Sequence, residues 1–385
     1  MSTTGNSYLR TARRTGPLAV LVAAACLSWP GPAPVLPALA AGQGAAAIEC
    51  AEATRDGGTV TLTWTADGPV DVLLGADPDA DPGRMTVISA ADGDGRHVVR
   101  DLRGITRPYF YLRTGGGRGR RVAVRVLPLE GGRNFRDLGG YPTRDGRRVK
   151  WGRVFRSGFM TDLTDADYEY LSAVGIRVVC DFRSAEERAA RPTRWRAAPT
   201  IEYRTWSYSD ADDPGRMGLG SLLSQPHLTP ESVARIMTRL YPNIVEEHKA
   251  KYRDLFHKLA AGELPLAFNC SAGKDRAGTA AALVLSALGV PREMVVQDYA
   301  LSERVVDYEA DLPAAGAGGG ERAADGPLGG LTAALMRPLL RSDPSYIRST
   351  LAYLDATYGG VLEYIRTELD IDDEELARIR ERLLE

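Results

Sequence analysis

Cysteine and lysine are scarce in this chain of 385 residues: it has four cysteines, and lysine only at positions 150, 249, 251, 258 and 274. So few cysteines argue against a disulfide scaffold. Histidine is as rare, and the residues at 97, 227, 248 and 257 show no ligand spacing with cysteine or with each other, so no metal and no cofactor is expected. Charge of one sign is also lacking. A formal net charge of −2 gives no basis for a nucleic-acid partner, which asks for a basic excess or a basic face. The apolar run Leu18 to Leu27 falls short of the ~20 residues that span a bilayer. What remains is the composition of a globular protein, 44% hydrophobic and 25% charged, with length enough for two domains.

Arg10, Arg13 and Arg14 precede that apolar run and Ala38-Leu39-Ala40 follows it, so residues 1–40 are expected to be an export signal outside the fold. Two variants stay open. Arg13-Arg14 fits a twin-arginine signal, although Gly16 and Pro17 follow where apolar residues are expected, and Cys26 behind three alanines fits a lipid-anchoring cysteine. Export would place the chain in the periplasm or outside the cell. The three cysteines then left, Cys50, Cys180 and Cys270, cannot all pair with one another, which favours a working thiol.

From about 46 to 128 the pattern is β. Val60, Leu62 and Trp64 alternate with threonines, Val122, Val124 and Val126 alternate with Ala and Arg, and Asp/Gly/Pro clusters separate the short runs. A small antiparallel sandwich is expected. The order of Trp64, Leu102, Tyr109 and Tyr111 resembles the fibronectin type III pattern. Beyond Gly131-Gly132 the period changes. Thr164 with Asp167 reads as a capping box opening a helix that Gly175 ends, and Ile176 to Phe182 reads as a buried strand. Thr229-Pro230 opens a second helical stretch to about Leu259, interrupted at Pro242, which could form a lid. Leu264 to Phe268 is a short strand, and the helix after it runs to about Leu288, with Gly289 and Pro291 stopping it. Residues 312–330 read as a mobile Gly/Ala-rich loop, and the remainder as helix. Helix followed by buried strand implies an α/β core, a central mostly parallel sheet flanked by helices, over 130–385.

The stretch Phe268 to Gly278, FNCSAGKDRAG, carries the chemistry. Cys270 ends a strand, Gly273 permits a backbone that side chains forbid, and Arg276 opens a helix. In such a strand-loop-helix unit the amides of Ser271, Ala272, Gly273, Lys274, Asp275 and Arg276 converge with the helix N-terminus on one point, an anion site. A cysteine there is expected to react as its thiolate, and Arg276 to bind two phosphoryl oxygens and follow them into the transition state. Lys274, in a chain so poor in lysine, is expected to attract a second anionic group of the substrate.

These residues resemble the loop of the exported bacterial tyrosine/serine phosphatases. Two further stretches agree: Asn134-Phe135-Arg136-Asp137-Leu138-Gly139-Gly140 with Arg156-Ser157-Gly158, and Asp181-Phe182-Arg183-Ser184 with Glu187. The likeness covers about 130–385. It implies metal-free hydrolysis of phosphotyrosine or phosphoserine proteins or of phosphoinositides and inositol phosphates, a membrane-surface substrate included. It also implies that Cys270 attacks phosphorus and that Asp275 or Asp181 protonates the leaving oxygen. Asn134 and Arg136 brace the loop, Asp137 reads first as orienting or capping it and second as a further candidate for that acid, and Arg183 and Asn269 belong to its support.

Two departures bear on rate. Asn269 stands where relatives carry histidine, which removes a charge that favours the thiolate, and Ala277 stands where a hydroxyl assists its departure. A slow enzyme that accumulates phosphocysteine is expected. Cys180, on a strand expected to neighbour that of Cys270, reads first as a small buried apolar residue and second as a disulfide partner in an oxidised state. The rival function is a phosphate- or phospholipid-binding module without turnover. A sulfurtransferase or an arsenate reductase is disfavoured by Lys274 and Asp275 and by the want of resolving cysteines.

Overall fold

The computed structural model describes residues 48–115, 119–193, 195, 201–208, 222–223, 225, 227–308, 310 and 332–385. The leader expected at 1–40 and the mobile loop expected at 312–330 lie outside them.

Seven strands come first: β1 (Ile48–Asp56), β2 (Thr59–Ala66), β3 (Val70–Gly75), β4 (Thr86–Asp92), β5 (Arg96–Val99), β6 (Tyr109–Thr114) and β7 (Gly119–Ala123). They form two antiparallel sheets, ordered β1-β2-β5 and β4-β3-β6-β7. The alternation read from sequence closes the space between them: Val60, Leu62, Trp64, Val70, Val72, Phe110, Leu112 and Val122 share one core. In β7 the alternation fails, because Ala123 is as buried as Val122. Its outer face is covered by Tyr109 and by Trp151 from further along the chain.

Five more strands make one sheet: β8 (Arg136–Asp137), β9 (Val154–Ser157), β10 (Val178–Asp181), β11 (Glu202–Thr205) and β12 (Leu266–Asn269), ordered β11-β10-β12-β9-β8. All pairings are parallel except β8 with β9. Register sets the chemistry in a row. Asp181 lies opposite Asn269, and Asn269 opposite Ser157, so three strands end together just before Cys270.

Helices cover both faces, as a parallel sheet requires. Val154, Val178, Cys180, Leu266 and Phe268 face one cluster; Phe155, Val179 and Ala267, one residue out of phase, face the other. The second cluster takes its helical side from α1 (Asp165–Val174), capped by Thr164 with Asp167 and ended by Gly175 at φ 78°, as the sequence implied. Then follow α2 (Ala185–Ala190), α3 (Pro230–Leu240), α4 (Asn243–Glu247) and α5 (Lys249–Ala261), the interruption falling at Pro242. The lid expected over 229–259 is half wrong. Tyr252, Leu255, Phe256 and Leu259 of α5 are fully buried in the main core, so this helix is a wall and not a flap. The remaining helices are α6 (Arg276–Ala287), α7 (Arg292–Ala300), α8 (Ser302–Val305), α9 (Ala333–Leu340), α10 (Pro344–Tyr358), α11 (Val361–Thr367) and α12 (Asp373–Leu383). The sandwich and the α/β part form one compact unit, Ala45–Glu385.

Candidate active site

The loop between β12 and α6 is held from behind by its carbonyls. Ser271 O accepts the Phe159 amide at 3.0 Å, and Ala272 O accepts the Tyr308 hydroxyl at 3.0 Å. Gly273 O accepts Asn134 Nδ2 at 2.9 Å and Arg156 Nη2 at 2.7 Å. With carbonyls tied outward, alternate peptide planes turn their N–H groups inward. Among the described residues, the amides of Ser271 to Arg276 donate to no protein acceptor. Asp275, the N-cap of α6, caps nothing with its side chain, which leaves the helix N-terminus open as well. Cys270 lies at the floor, about 1% exposed. Gly273 is obligatory twice over: its φ is +74°, and a Cβ would stand 2.5 Å from the Gly158 nitrogen.

Arg276 points toward α2. Its Nη1 and Nη2 meet the two oxygens of Glu187 at 2.6 and 2.7 Å, and Nη1 also donates to Tyr208 OH at 2.9 Å. The guanidinium is thereby fixed on its outer edge, Nη1 also reaching Phe182 O at 3.2 Å, while Nε donates to none of the described residues. Glu187 does double duty. With Ser184 it forms the capping box of α2, and its Oε1 accepts the Ser271 hydroxyl at 2.7 Å. Burial alone would raise its pKa, but Arg276 and the Ser271 and Ser184 donors hold it well below the carboxylate range.

The carboxylates expected to act are sorted by their surroundings. Asp181 is fully buried and saturated: Arg183 Nε and Nη2 donate to it at 3.0 and 2.7 Å, Tyr203 OH at 2.6 Å and Asn269 Nδ2 at 3.0 Å. This corrects two expectations, since Asp181 presents no free oxygen to a substrate, and the Asn269 amide bonds Asp181 where it was expected to support the loop. Asp137 is equally buried, paired with Arg107 and accepting the amides of Gly139 and Gly152. It touches no loop atom. Asp275 differs: its side chain is 28% exposed, Oδ1 accepts Lys274 Nζ at 3.0 Å and the Tyr241 hydroxyl, and Oδ2 has no partner among the described residues. Tyr299 and Tyr241 form a hydroxyl chain behind it, and burial keeps both phenols protonated far above neutral pH.

Lys274 corrects a third expectation. Its ammonium is buried, donating to Leu339 O at 2.7 Å, Arg341 O at 3.2 Å and Asp275. All three protons are spent on protein, so it fastens the end of α9 to the loop and is not a mobile charge awaiting a second anion.

Sequence reasoning missed the hub beneath the loop. Asp298 on α7 receives Arg156 Nη1 at 2.6 Å, Arg136 Nε at 3.5 Å and Tyr141 OH at 3.0 Å, all fully or nearly fully buried. Arg136 also donates to Asn134 Oδ1 and to Asp298 O. An acid set among Val295, Val296 and Tyr299 on α7 was the available signal. Tyr308, Tyr208 and Tyr241 carried none, since nothing local marks a tyrosine that reaches a distant loop.

Residues 127–385 match the model of the tyrosine phosphatase family. A candidate tyrosine-protein phosphatase of Cupriavidus necator is 32% identical over 247 residues, covering 62% of this chain and 82% of that protein. A tyrosine-protein phosphatase of Nostoc commune is 27% identical over 236 residues, 59% of this chain and 73% of that one. A triple specificity protein phosphatase of Mycobacterium tuberculosis is 35% identical over 198 residues, covering 46% and 68%. The family match extends over more than half of the chain, loop and supports included, so the chain belongs to the tyrosine phosphatase family.

Proposed function

We propose that this enzyme hydrolyses phosphomonoesters through a phosphocysteine intermediate formed on Cys270. The observation that carries the reading is the set of amides from Ser271 to Arg276, which donate to no acceptor among the described residues while the carbonyls of Ser271, Ala272 and Gly273 are tied down. Three phosphoryl oxygens accept these amides and the Nε edge of Arg276. The Cys270 thiolate then attacks phosphorus in line with the ester oxygen. As the P–O bond breaks, Asp275 gives its proton to the leaving oxygen; a water then attacks phosphorus, returning a proton to Asp275 and expelling the thiolate. The open Oδ2 of Asp275 supports it over Asp181 as the acid. Ala277, buried beside the loop, brings no hydroxyl to that expulsion, which supports a slow second step.

The substrate class proposed is phosphotyrosine and phosphoserine/threonine in proteins, with phosphoinositides as a further group; the triple specificity relative supports breadth. We further read residues 1–40 as an export leader and 46–128 as a fibronectin type III-like module. The deciding experiment is hydrolysis of an aryl phosphate by the full chain beside Cys270→Ser, followed by phosphotyrosine peptide, phosphoserine peptide and phosphoinositide vesicles. No turnover of the aryl phosphate by the unaltered chain would leave a binding module instead. Acid-quenched protein carrying phosphate on Cys270 is the expected intermediate.

A further inference from the structure

The back of the loop is reached from the sandwich. Arg107, between β5 and β6, is 5% exposed and donates Nη2 to Asp137 Oδ2 at 2.5 Å and Nε to Tyr109 OH at 2.8 Å. Asp137 has no exposure at all, so Arg107 is the cation that compensates a carboxylate wholly removed from water. Asp137 is half of the two-residue strand β8, whose other half is Arg136. Arg136 holds Asn134 Oδ1 and Asp298, and Asn134 Nδ2 holds the Gly273 carbonyl. Every link from Arg107 to Gly273 is thus a direct contact or a peptide bond. The chain leaving β7 strengthens the same strand: Leu127 N donates to Phe135 O at 3.0 Å and Asp137 N to Arg125 O at 2.9 Å.

We infer that Arg107 is a positioning residue for the phosphate loop, so that the sandwich sets the catalytic register of Gly273 through the Arg107–Asp137 pair. This rests on the phosphatase reading of the loop. Without the guanidinium, Asp137 keeps only the Gly139 and Gly152 amides and the more distant Arg125, and it is relieved by taking up a proton or by movement of β8 toward water. Such movement carries Arg136 and Asn134 with it and loosens the carbonyl whose fixed direction aims the neighbouring amides. A second bridge between the same parts, Arg153 with Asp79, lies at the surface and does not touch β8. It serves as the comparison.

The experiment uses the full chain with Arg107→Met, Arg107→Lys and Asp79→Ala. Three readouts report on the loop: kcat and KM separately, the inhibition constant of inorganic vanadate, and the ratio of Cys270 alkylation rates by iodoacetate and by iodoacetamide. The last compares an anion with a neutral reagent at the same sulfur, so it senses the inward amides rather than the fold. Arg107→Met is expected to lower kcat, raise the vanadate constant and lower the alkylation ratio, each by about 10- to 100-fold, the scale of a displaced catalytic group. Arg107→Lys is expected to recover most of this, and Asp79→Ala to leave all three unchanged. The inference is overturned if folded Arg107→Met matches the unaltered protein in vanadate constant and alkylation ratio, or if Asp79→Ala shows the same losses. It is equally overturned if neither Arg107 variant folds, because the residue then serves folding alone. Should vanadate fail to protect Cys270 in the unaltered protein, the loop reading itself falls.

Discussion

Two aspartates stand beside the same cysteine, and the groups around them divide their work. Asp181 receives Arg183, Tyr203 and Asn269 in a site with no exposure, so its replacement breaks a buried pair. Asp181→Asn is expected to cost about 3–5 kcal/mol of stability, read as a lower denaturant midpoint. Asp275→Asn, which takes the counter-charge from the buried Lys274 ammonium, is expected to lower that midpoint less than Asp181→Asn and to lower kcat about 10²- to 10⁴-fold on alkyl phosphates, and far less on an aryl phosphate whose leaving group needs no proton. Equal losses on both substrates would remove Asp275 from the acid role. Gly273→Ala tests the loop at its tightest point. At φ +74°, with the Gly158 nitrogen 2.5 Å from the new Cβ, the loop must shift, so vanadate binding is expected to vanish while the circular dichroism of the fold persists.

At the scale of elements, α2 and α7 are the supports that matter. Helix α2 is only six residues long, yet its capping box delivers Glu187 to Arg276. Glu187→Gln keeps the shape but loses the charge that fixes the fork, and is expected to lower kcat/KM about 10²- to 10³-fold, measured on an aryl phosphate. Helix α7 delivers Asp298. Burial opposes its charge, but Arg136, Arg156 and Arg125 prevail and bring its pKa down to about 2. A depressed folded value means stability that is present above the unfolded value of about 4 and lost as pH falls through the folded one. Denaturant midpoints measured across pH 4 to 2 should therefore fall steeply. Asp298→Asn should be less stable at pH 7 by about 3–5 kcal/mol and should show a shallower slope in that acid window.

For the whole molecule, the sandwich and the α/β part share an interface built on Trp151. Its ring packs with Tyr109 and Ala123, and its Nε1 donates to Arg121 O at 3.1 Å. Gly140, at φ +80°, leaves the room that the ring occupies: a Cβ there would lie 2.2 Å from it. Unfolding of Ala45–Glu385 is accordingly expected to be one cooperative transition followed by fluorescence and circular dichroism alike. Trp151→Ala removes about 3–5 kcal/mol of packing and should separate the transitions of the two parts. A single transition at an unchanged midpoint would contradict the coupling.

Much of this was legible in the residues. The capping box of α1, Gly175 and Gly289, the strand ending at Cys270 and the glycine of the loop follow from rules that act within a few residues, because helix ends and tight turns are closed by neighbours in the chain. Which groups share one dry site is set instead by strands and helices meeting from positions between 22 and 162 residues apart. That is why Asp181 could not be told from Asp275, why Lys274 was taken for a ligand of substrate, and why Asp298 passed unnoticed. Local sequence determined that an oxyanion loop would form on a parallel sheet; tertiary packing alone decided which charges face that loop and which are consumed in holding it, since burial and partnership are properties of the assembled core.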